Sequence, residues 1–262
     1  MVSVKPDAQA GRLAGTVPQL SVVVPVHDEA ENLPPLVDEI ARALDGRLAY
    51  EIVCVDDASE DATPTRLAEL ARARPQVRFL RHRRRGGQSA AIASGVAAAH
   101  AAVIATLDGD GQNDPADIPR LLRIFDQAGA EAQGRLMVAG HRVRRRDSWT
   151  RRMAGRVANA VRARLLGDAT PDTGCGLKVF SRAAFLAMPR FDHMHRFLPA
   201  LMLRQGGRVV SVPVHHRPRA RGRSNYGVWD RLWVGIVDLL GVMWLERRRL
   251  DPFDAAGDGE EA

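Results

Sequence analysis

Asp-Gly-Asp-Gly-Gln-Asn-Asp-Pro, residues 108 to 115, directly follows the apolar run Ala102-Val103-Ile104-Ala105-Thr106-Leu107. That run has the length and β-branched content of a buried strand, so its acids are expected at the strand's carboxyl end. In an open α/β sheet that edge is where ligands bind. Two carboxylates one residue apart, with glycine between them and an amide two residues on, offer several oxygens to a hard divalent cation such as Mg²⁺. A polar turn rich in Asp, Gly and Asn has the same composition, so the stretch alone leaves both readings open.

The flanking sequence supplies the context. Leu20 to Val26 is a β-branched run without alternation, as a strand covered on both faces would be, and Pro25 marks its end. Leu36, Val37, Ile40 and Leu44 recur at helical spacing within Leu33 to Leu44. A second strand, Glu51 to Val55, ends in Asp56-Asp57-Ala58-Ser59 and leads into a helix through Leu67 and Leu70. A third, Val77 to Leu80, precedes Arg85-Gly86-Gly87, and an alanine-rich helix from Gln88 to about His100 follows. After the strand into Asp108 come a helix through Ile118, Leu121, Leu122 and Phe125 and a fifth strand, Leu136 to Ala139. Strands alternating with helices predict an α/β fold with a mostly parallel, doubly wound sheet and right-handed crossovers. Three strand ends then bring acids to one edge: Glu29, Asp56 with Asp57, and Asp108 with Asp110. No Gly-x-Gly-x-x-Gly or Gly-x-x-x-x-Gly-Lys follows a strand, which argues against dinucleotide and P-loop sites.

The 262 residues are enough for one large domain, expected over residues 20–227, with a flexible leader at 1–19. Cys54 and Cys175 have neither metal-site spacing nor a disulfide framework, and no basic segment with an apolar core opens the chain, so a cytoplasmic setting is expected. A net charge of +7 and a pI near 10.5 imply acidic partners. Arginines cluster at 81 to 85, 142 to 146 and 151 to 152, and guanidinium forks suit phosphate. A nucleic-acid surface would interleave aromatic residues for stacking. Aromatics are 5% of the chain and only Trp149 lies near the arginine-rich middle, so no nucleic-acid partner is expected.

Beyond the fifth strand the pattern loosens. A basic helix is expected from about Ser148 to Leu166, then a glycine-rich turn from Asp172 to Lys178, helices carrying Phe185 and Phe197, and a strand from Arg208 to Val212. His215-His216 has no third ligand at metal-site spacing, which favours structural or phosphate-contacting roles. In the last helix, residues 228–249, Trp229, Trp233, Ile236, Leu240 and Trp244 share one face while Arg231 and Asp238 lie opposite. Its charges deny it the ~18 uninterrupted apolar residues of a spanning segment. The tryptophan face and Arg247-Arg248-Arg249 suit a helix lying in the headgroup region, and suit a core or dimer helix equally, so a homo-oligomer is among the expected states. Residues 250–262 read as a disordered acidic tail.

Pro25-Val26-His27-Asp28-Glu29, Val55-Asp56-Asp57-Ala58-Ser59, Asp108-Gly109-Asp110-Gly111-Gln112, Gly140-His141-Arg142 and the segment Arg219 to Gly227, in this order, resemble the inverting family 2 glycosyltransferases of the GT-A fold. Within that family they look most like the polyprenyl-phosphate glycosyltransferases typified by dolichol-phosphate mannose synthase. The resemblance implies a nucleoside pocket lined by Pro25, His27, Glu29, Val55 and Asp57. It implies Mg²⁺ or Mn²⁺ held by Asp108, Asp110 and Gln112 against the donor diphosphate, with Gly109 leaving room for the nucleotide. Arg142, Arg219 and Ser224 match donor-phosphate positions, and Arg152, Arg156 and Asn159 match the acceptor-phosphate region. With Asp110, Arg142 and Arg219 would carry the catalytic charge.

The reaction implied is displacement at a sugar's anomeric carbon, from a GDP- or UDP-linked donor, by the phosphate oxygen of a polyprenyl lipid at the inner membrane's cytoplasmic surface. A phosphate acceptor is already ionised and needs positioning more than a base. A hydroxyl acceptor in polysaccharide or glycolipid synthesis is the alternative; it would require a carboxylate base, for which Asp172 is the candidate, although an Asp stabilising the turn before Gly174 is the plainer role. A nucleotide-binding protein without catalysis is the remote alternative. Two departures stand out: His27-Asp28 replaces the common Tyr-Asn pair, and Asn225 replaces a lysine.

Overall fold

The computed structural model describes residues 17–142, 162–218 and 228–248. The chain divides into two compact units, Met1–Asn225 and Tyr226–Ala262. In the first, strands β1 (Leu20–Val26), β2 (Tyr50–Asp56), β3 (Val77–Arg81), β4 (Val103–Thr106), β5 (Leu136–Arg142), β6 (Lys178–Ser181) and β7 (Arg208–Val214) form one sheet in the order β3-β2-β1-β4-β6-β5-β7. β6 runs antiparallel to both β4 and β5, and the remaining neighbours pair parallel. The chain steps outward from β1 to β2 and β3, then crosses back to β4 on β1's other side. The switch point therefore lies between β1 and β4, where ligand crevices form in such sheets.

Period-two alternation within fully covered strands divides the core. Val22, Val24, Ile52 and Cys54 pack with Leu36, Val37 and Ile40 of α1 (Leu33–Leu44), Leu67 of α2 (Thr63–Ala73) and Leu121 and Phe125 of α4 (Ile118–Asp126). Val23 and Val55 face α3 (Gly87–Ala98) on the other side, at Gly95. A Cβ at Gly95 would stand 2.5 Å from Val23 Cγ1 and 3.0 Å from Val55 Cγ2, so the glycine lets α3 lie close on the sheet. Gly95→Ala should therefore overpack this layer and destabilise the fold by roughly 1–3 kcal/mol. Thermal unfolding measures it, and an unchanged midpoint would contradict the close approach.

Two of the departures from the sequence expectation bear on the site. β5 continues to Arg142 rather than ending at Ala139, because β7 pairs with it through Arg142↔Val214 and prolongs the ladder. β6 lies where only a glycine-rich turn and a helix were expected: four residues beginning with a lysine carry no alternation signal, and pairing on both sides makes them a strand. Of the basic helix expected over 148–166, residues 162–166 are helical and 148–161 lie outside the described residues.

The second unit contains the helix Val228–Glu246. On it Ile236, Val237, Leu240 and Trp244 are exposed, and the Arg248 guanidinium carbon lies 5.1 Å from the Trp244 ring centroid. Among the described residues no helix is long and apolar enough to cross a membrane.

Candidate active site

The loops leaving β1 and β2 are tied into one rim. Asp28 and Ala58 both hold left-handed backbone, with φ of 55° and 57°, a strain that persists only where surrounding contacts enforce it. Those contacts are numerous. The Asp28 amide donates to Ser59 Oγ (3.0 Å) and its Oδ1 accepts from the Glu60 amide (2.8 Å), while the Glu29 amide donates to Thr63 Oγ1 (2.9 Å). His27 Nδ1 lies 2.9 Å from the Asp57 carbonyl, so this nitrogen carries the proton. His27-Asp28 thus serves loop-to-loop bonding. Glu29, buried, accepts from Asn32 Nδ2 at 2.5 Å at the start of α1. Pro25 is half-buried at the rim. The Val55 side chain is 0% exposed and packs toward Gly95, which leaves the backbone of Val55 as the part at this edge.

Asp57 organises the next turn. Its Oδ1 accepts from His82 Nδ1 (2.7 Å) and the Gly86 amide (2.8 Å), and its Oδ2 from the Gly87 amide (2.7 Å). Burial alone would raise this carboxyl; the Gly86 amide, His82 and the Gly87 amide outweigh it and hold the group below the ordinary range. Gly87, at φ 82°, supplies the left-handed turn that aims two successive amides at one carboxylate.

At the end of β4, Asp108 is half-buried and bonded by Gln88 Nε2 at 2.8 Å. Burial and then the neighbouring Asp110 charge push its carboxyl up to about 6, against which Lys178 and Arg142 act. A carboxyl raised by burial and by a neighbouring acid, in an all-oxygen setting, fits a hard divalent cation, which would offset that repulsion. Among the described residues no group of three or more His, Cys, Asp or Glu is poised for a metal, so a cation here would complete its shell from substrate oxygens and water. Asp110 Oδ1 accepts from the Gln112 amide (3.1 Å), and Gln112 Nε2 reaches the Arg217 carbonyl at 3.4 Å, leaving its Oε1 as the atom suited to a cation. Gly109 makes room for β1: a Cβ there would stand 2.9 Å from the Pro25 carbonyl and 2.8 Å from Val26 Cγ1.

Arg142 closes the cationic side. Its Nε and Nη2 donate to Asp172 Oδ2 (2.6 Å) and Oδ1 (2.8 Å), and its amide to Oδ2 (3.2 Å). The Asp172 bonds outweigh burial and raise Arg142 further, leaving the Nη1 edge of a fixed, permanently charged fork. Sequence reasoning placed both residues but not the pair. It missed Lys178, almost fully buried on β6, whose Nζ donates to the Cys175 carbonyl and to Thr173 O at 3.3 Å; burial lowers its pKa. A lysine inside the apolar run Leu177-Lys178-Val179-Phe180 was the available signal. It also missed Gln88 and His195. His195 bonds Ser89 Oγ through Nδ1 at 2.8 Å, and burial depresses its pKa to about 3, leaving the ring neutral. His215 is structural, bonding Asp117 through its amide (2.7 Å) and Nδ1 (3.1 Å). Arg152, Arg156, Asn159, Arg219 and Ser224 lie outside the described residues.

A mostly parallel sheet with paired carboxylates at the switch point and a cationic flank defines a GT-A type of nucleotide-sugar enzyme. Residues 21–187 match the glycosyl transferase family 2 model, and the chain belongs to that family. It is 33% identical over 242 residues to a dodecaprenyl-phosphate galacturonate synthase of Rhizobium johnstonii, covering 89% of this chain and 69% of that protein. It is 36% identical over 216 residues to an undecaprenyl-phosphate 4-deoxy-4-formamido-L-arabinose transferase of Edwardsiella ictaluri, covering 81% of this chain and 64% of that protein. The fold matches a mannosyltransferase from Pyrobaculum calidifontis in complex with GDP-Man and Mn²⁺, at TM-score 0.62 and 22% identity over 91% of this chain and 67% of that one. It also matches glucosyl-3-phosphoglycerate synthase from Mycobacterium tuberculosis in complex with Mg²⁺ and UDP, at TM-score 0.62 and 19% identity over 93% of this chain and 83% of that one.

Proposed function

We propose that this glycosyltransferase moves a sugar from a nucleotide diphosphate donor to a polyprenyl phosphate, inverting the anomeric centre. The observation that carries the acceptor class is the Arg142–Asp172 fork. A hydroxyl acceptor needs a carboxylate base, and Asp172, the candidate for that role, has both oxygens committed to Arg142. A phosphate acceptor needs no such base. Two relatives named as polyprenyl-phosphate sugar transferases support the same reading.

Asp108 and Asp110, with the Gln112 amide oxygen, would hold Mg²⁺ or Mn²⁺ at the donor diphosphate. The bound cation supplies charge neutralisation for the departing diphosphate. Arg142, its plane set by Asp172, presents its remaining N–H edge to phosphate oxygens, and Gln88 fixes the Asp108 rotamer. Arg152, Arg156 and Asn159 would receive the acceptor phosphate, and Arg219 with Ser224 the donor phosphates. Incubation with radiolabelled UDP- and GDP-sugars, polyprenyl phosphate and Mg²⁺ should place label in the organic phase. Label found solely on water-soluble acceptors would overturn the reading.

The helix Val228–Glu246 is the proposed membrane contact, placing the protein peripherally on the cytoplasmic face of the inner membrane. Its exposed Ile236, Val237, Leu240 and Trp244, followed by Arg247 and Arg248, fit an apolar face beside anionic headgroups. Leu240→Glu with Trp244→Glu should weaken flotation with phosphatidylglycerol vesicles at least about tenfold, since each removes an apolar anchor and adds a repelled charge. Unchanged flotation would exclude this helix as the contact.

A further inference from the structure

A cavity of about 550 Å³ lies between α1 and α4, two helices whose apolar faces pack on the same side of the sheet. Neither Asp57, Asp108, Asp110 nor Arg142 lines it, so it is separate from the site at the strand ends. Its charge is one-sided: five arginines line it against two carboxylates, an excess of three positive charges. Both carboxylates are turned to the same arginine. Arg217 donates from Nη1 to the two oxygens of Glu39, at 2.9 Å each, and its Nη2 lies 2.7 Å from Asp114 Oδ1.

The other four arginines have no such partner. Arg42 and Arg47 stand at the end of α1, Arg120 and Arg123 three residues apart on α4, and all four are exposed. Among the described residues no carboxylate pairs with any of them. Asp38, one turn before Arg42 and placed to pair with it, gives its carboxylate to Arg74 instead, and Arg42 Nε has the Asp38 carbonyl at 3.3 Å. Arg120 Nη1 likewise donates to a carbonyl, that of Pro213, at 3.1 Å.

Like charges three apart on a helix repel, and a concave wall concentrates their field. An oxyanion relieves that repulsion, and guanidinium forks match phosphate oxygens two at a time. We infer that this pocket is a phosphate-binding site apart from the donor and acceptor positions, taking a phosphate ester from solution or from a lipid headgroup through Arg42, Arg47, Arg120 and Arg123. It shares a wall with the loop that carries Gln112. Asp114 follows Gln112 by two residues, and the Arg217 amide donates to the Gln112 carbonyl at 2.9 Å.

Inorganic phosphate, titrated calorimetrically into the metal-free full chain at constant ionic strength, should bind with a Kd of about 1 mM or tighter, as a few charge-assisted hydrogen bonds provide. Arg42→Gln with Arg123→Gln removes one fork from each helix and should weaken binding at least about tenfold. Both side chains are exposed and lack a carboxylate partner, so this variant should unfold at or above the parent's temperature. If it does not fold, Arg47→Glu, beyond the end of α1, should weaken binding at least about threefold. Parent-like affinity in a folded variant, or no binding by the parent, would overturn the inference. Flotation with phosphatidylglycerol vesicles separates the two sources. A loss in Arg42→Gln with Arg123→Gln beyond that of Arg66→Gln with Arg72→Gln, which removes two arginines from α2, identifies the headgroup; equal flotation of the two variants beside weakened titration identifies the soluble ester. Neither measurement involves donor, metal or transfer, so its outcome is independent of the proposed reaction.

Discussion

Asp110→Asn should lower transfer by about 10²–10³-fold, in line with removal of one electrostatic stabiliser of a developing charge. Asparagine keeps the size of the side chain and an acceptor for the Gln112 amide, so the turn should survive while half of the paired charge is lost. Mn²⁺ affinity, measured by titration without donor, should fall alongside activity. Full activity, or lost activity with unchanged metal affinity, would refute the assignment. The metal-free protein should also show a pH signature. Asp108, raised from 3.8 to about 6 by burial and Asp110, keeps its proton in the folded chain across a window where the unfolded chain has released it. Folded protein then binds more protons than unfolded, so this group's contribution to stability declines as pH rises from about 4 to 6. Cation binding must displace that proton below about pH 6, and affinity should weaken by up to about tenfold per pH unit there. Asp110→Asn removes the repulsion and should bring the Asp108 transition down.

Gly176→Ala should be nearly as damaging, although alanine adds one methyl. The new Cβ would fall inside the Asp108 carboxylate, touching Oδ1, Cγ and Oδ2 together. Gly176 cannot yield, since its carbonyl accepts from Thr106 Oγ1 at 2.6 Å and ties the segment to β4. Asp108 must therefore leave its rotamer and its Gln88 bond. Activity should fall by about 10²-fold, as for a misplaced reacting geometry, and Mn²⁺ binding should weaken. Thermal unfolding should shift modestly, by roughly 1–3 kcal/mol for overpacking. Wild-type metal affinity in this variant would mean that the carboxylate acts from another position.

The large elements were legible because their signals are local. α1 spans Leu33–Leu44, as its apolar spacing predicts, and β1 spans Leu20–Val26. Acids directly after apolar runs marked Asp57, Asp108 and Asp110 as an edge. β6 was hidden, because four residues without alternation become a strand only when β4 and β5 accept them. Lys178 was hidden with it, as a lysine's burial depends on carbonyls brought by the turn before it.

Sequence by itself determined the alternation of strands and helices, and hence a parallel sheet whose carboxyl edge gathers the acids, because periodicity and turn chemistry act over a few residues. Tertiary structure alone decided what those acids do. Asp57 spends three lone pairs on a segment twenty-five to thirty residues away, Asp172 locks Arg142 across thirty residues, and Gly176 lies against Asp108 from the bend that leads into a strand running the other way. A carboxylate's role depends on which donors surround it, and those donors meet only when the sheet closes.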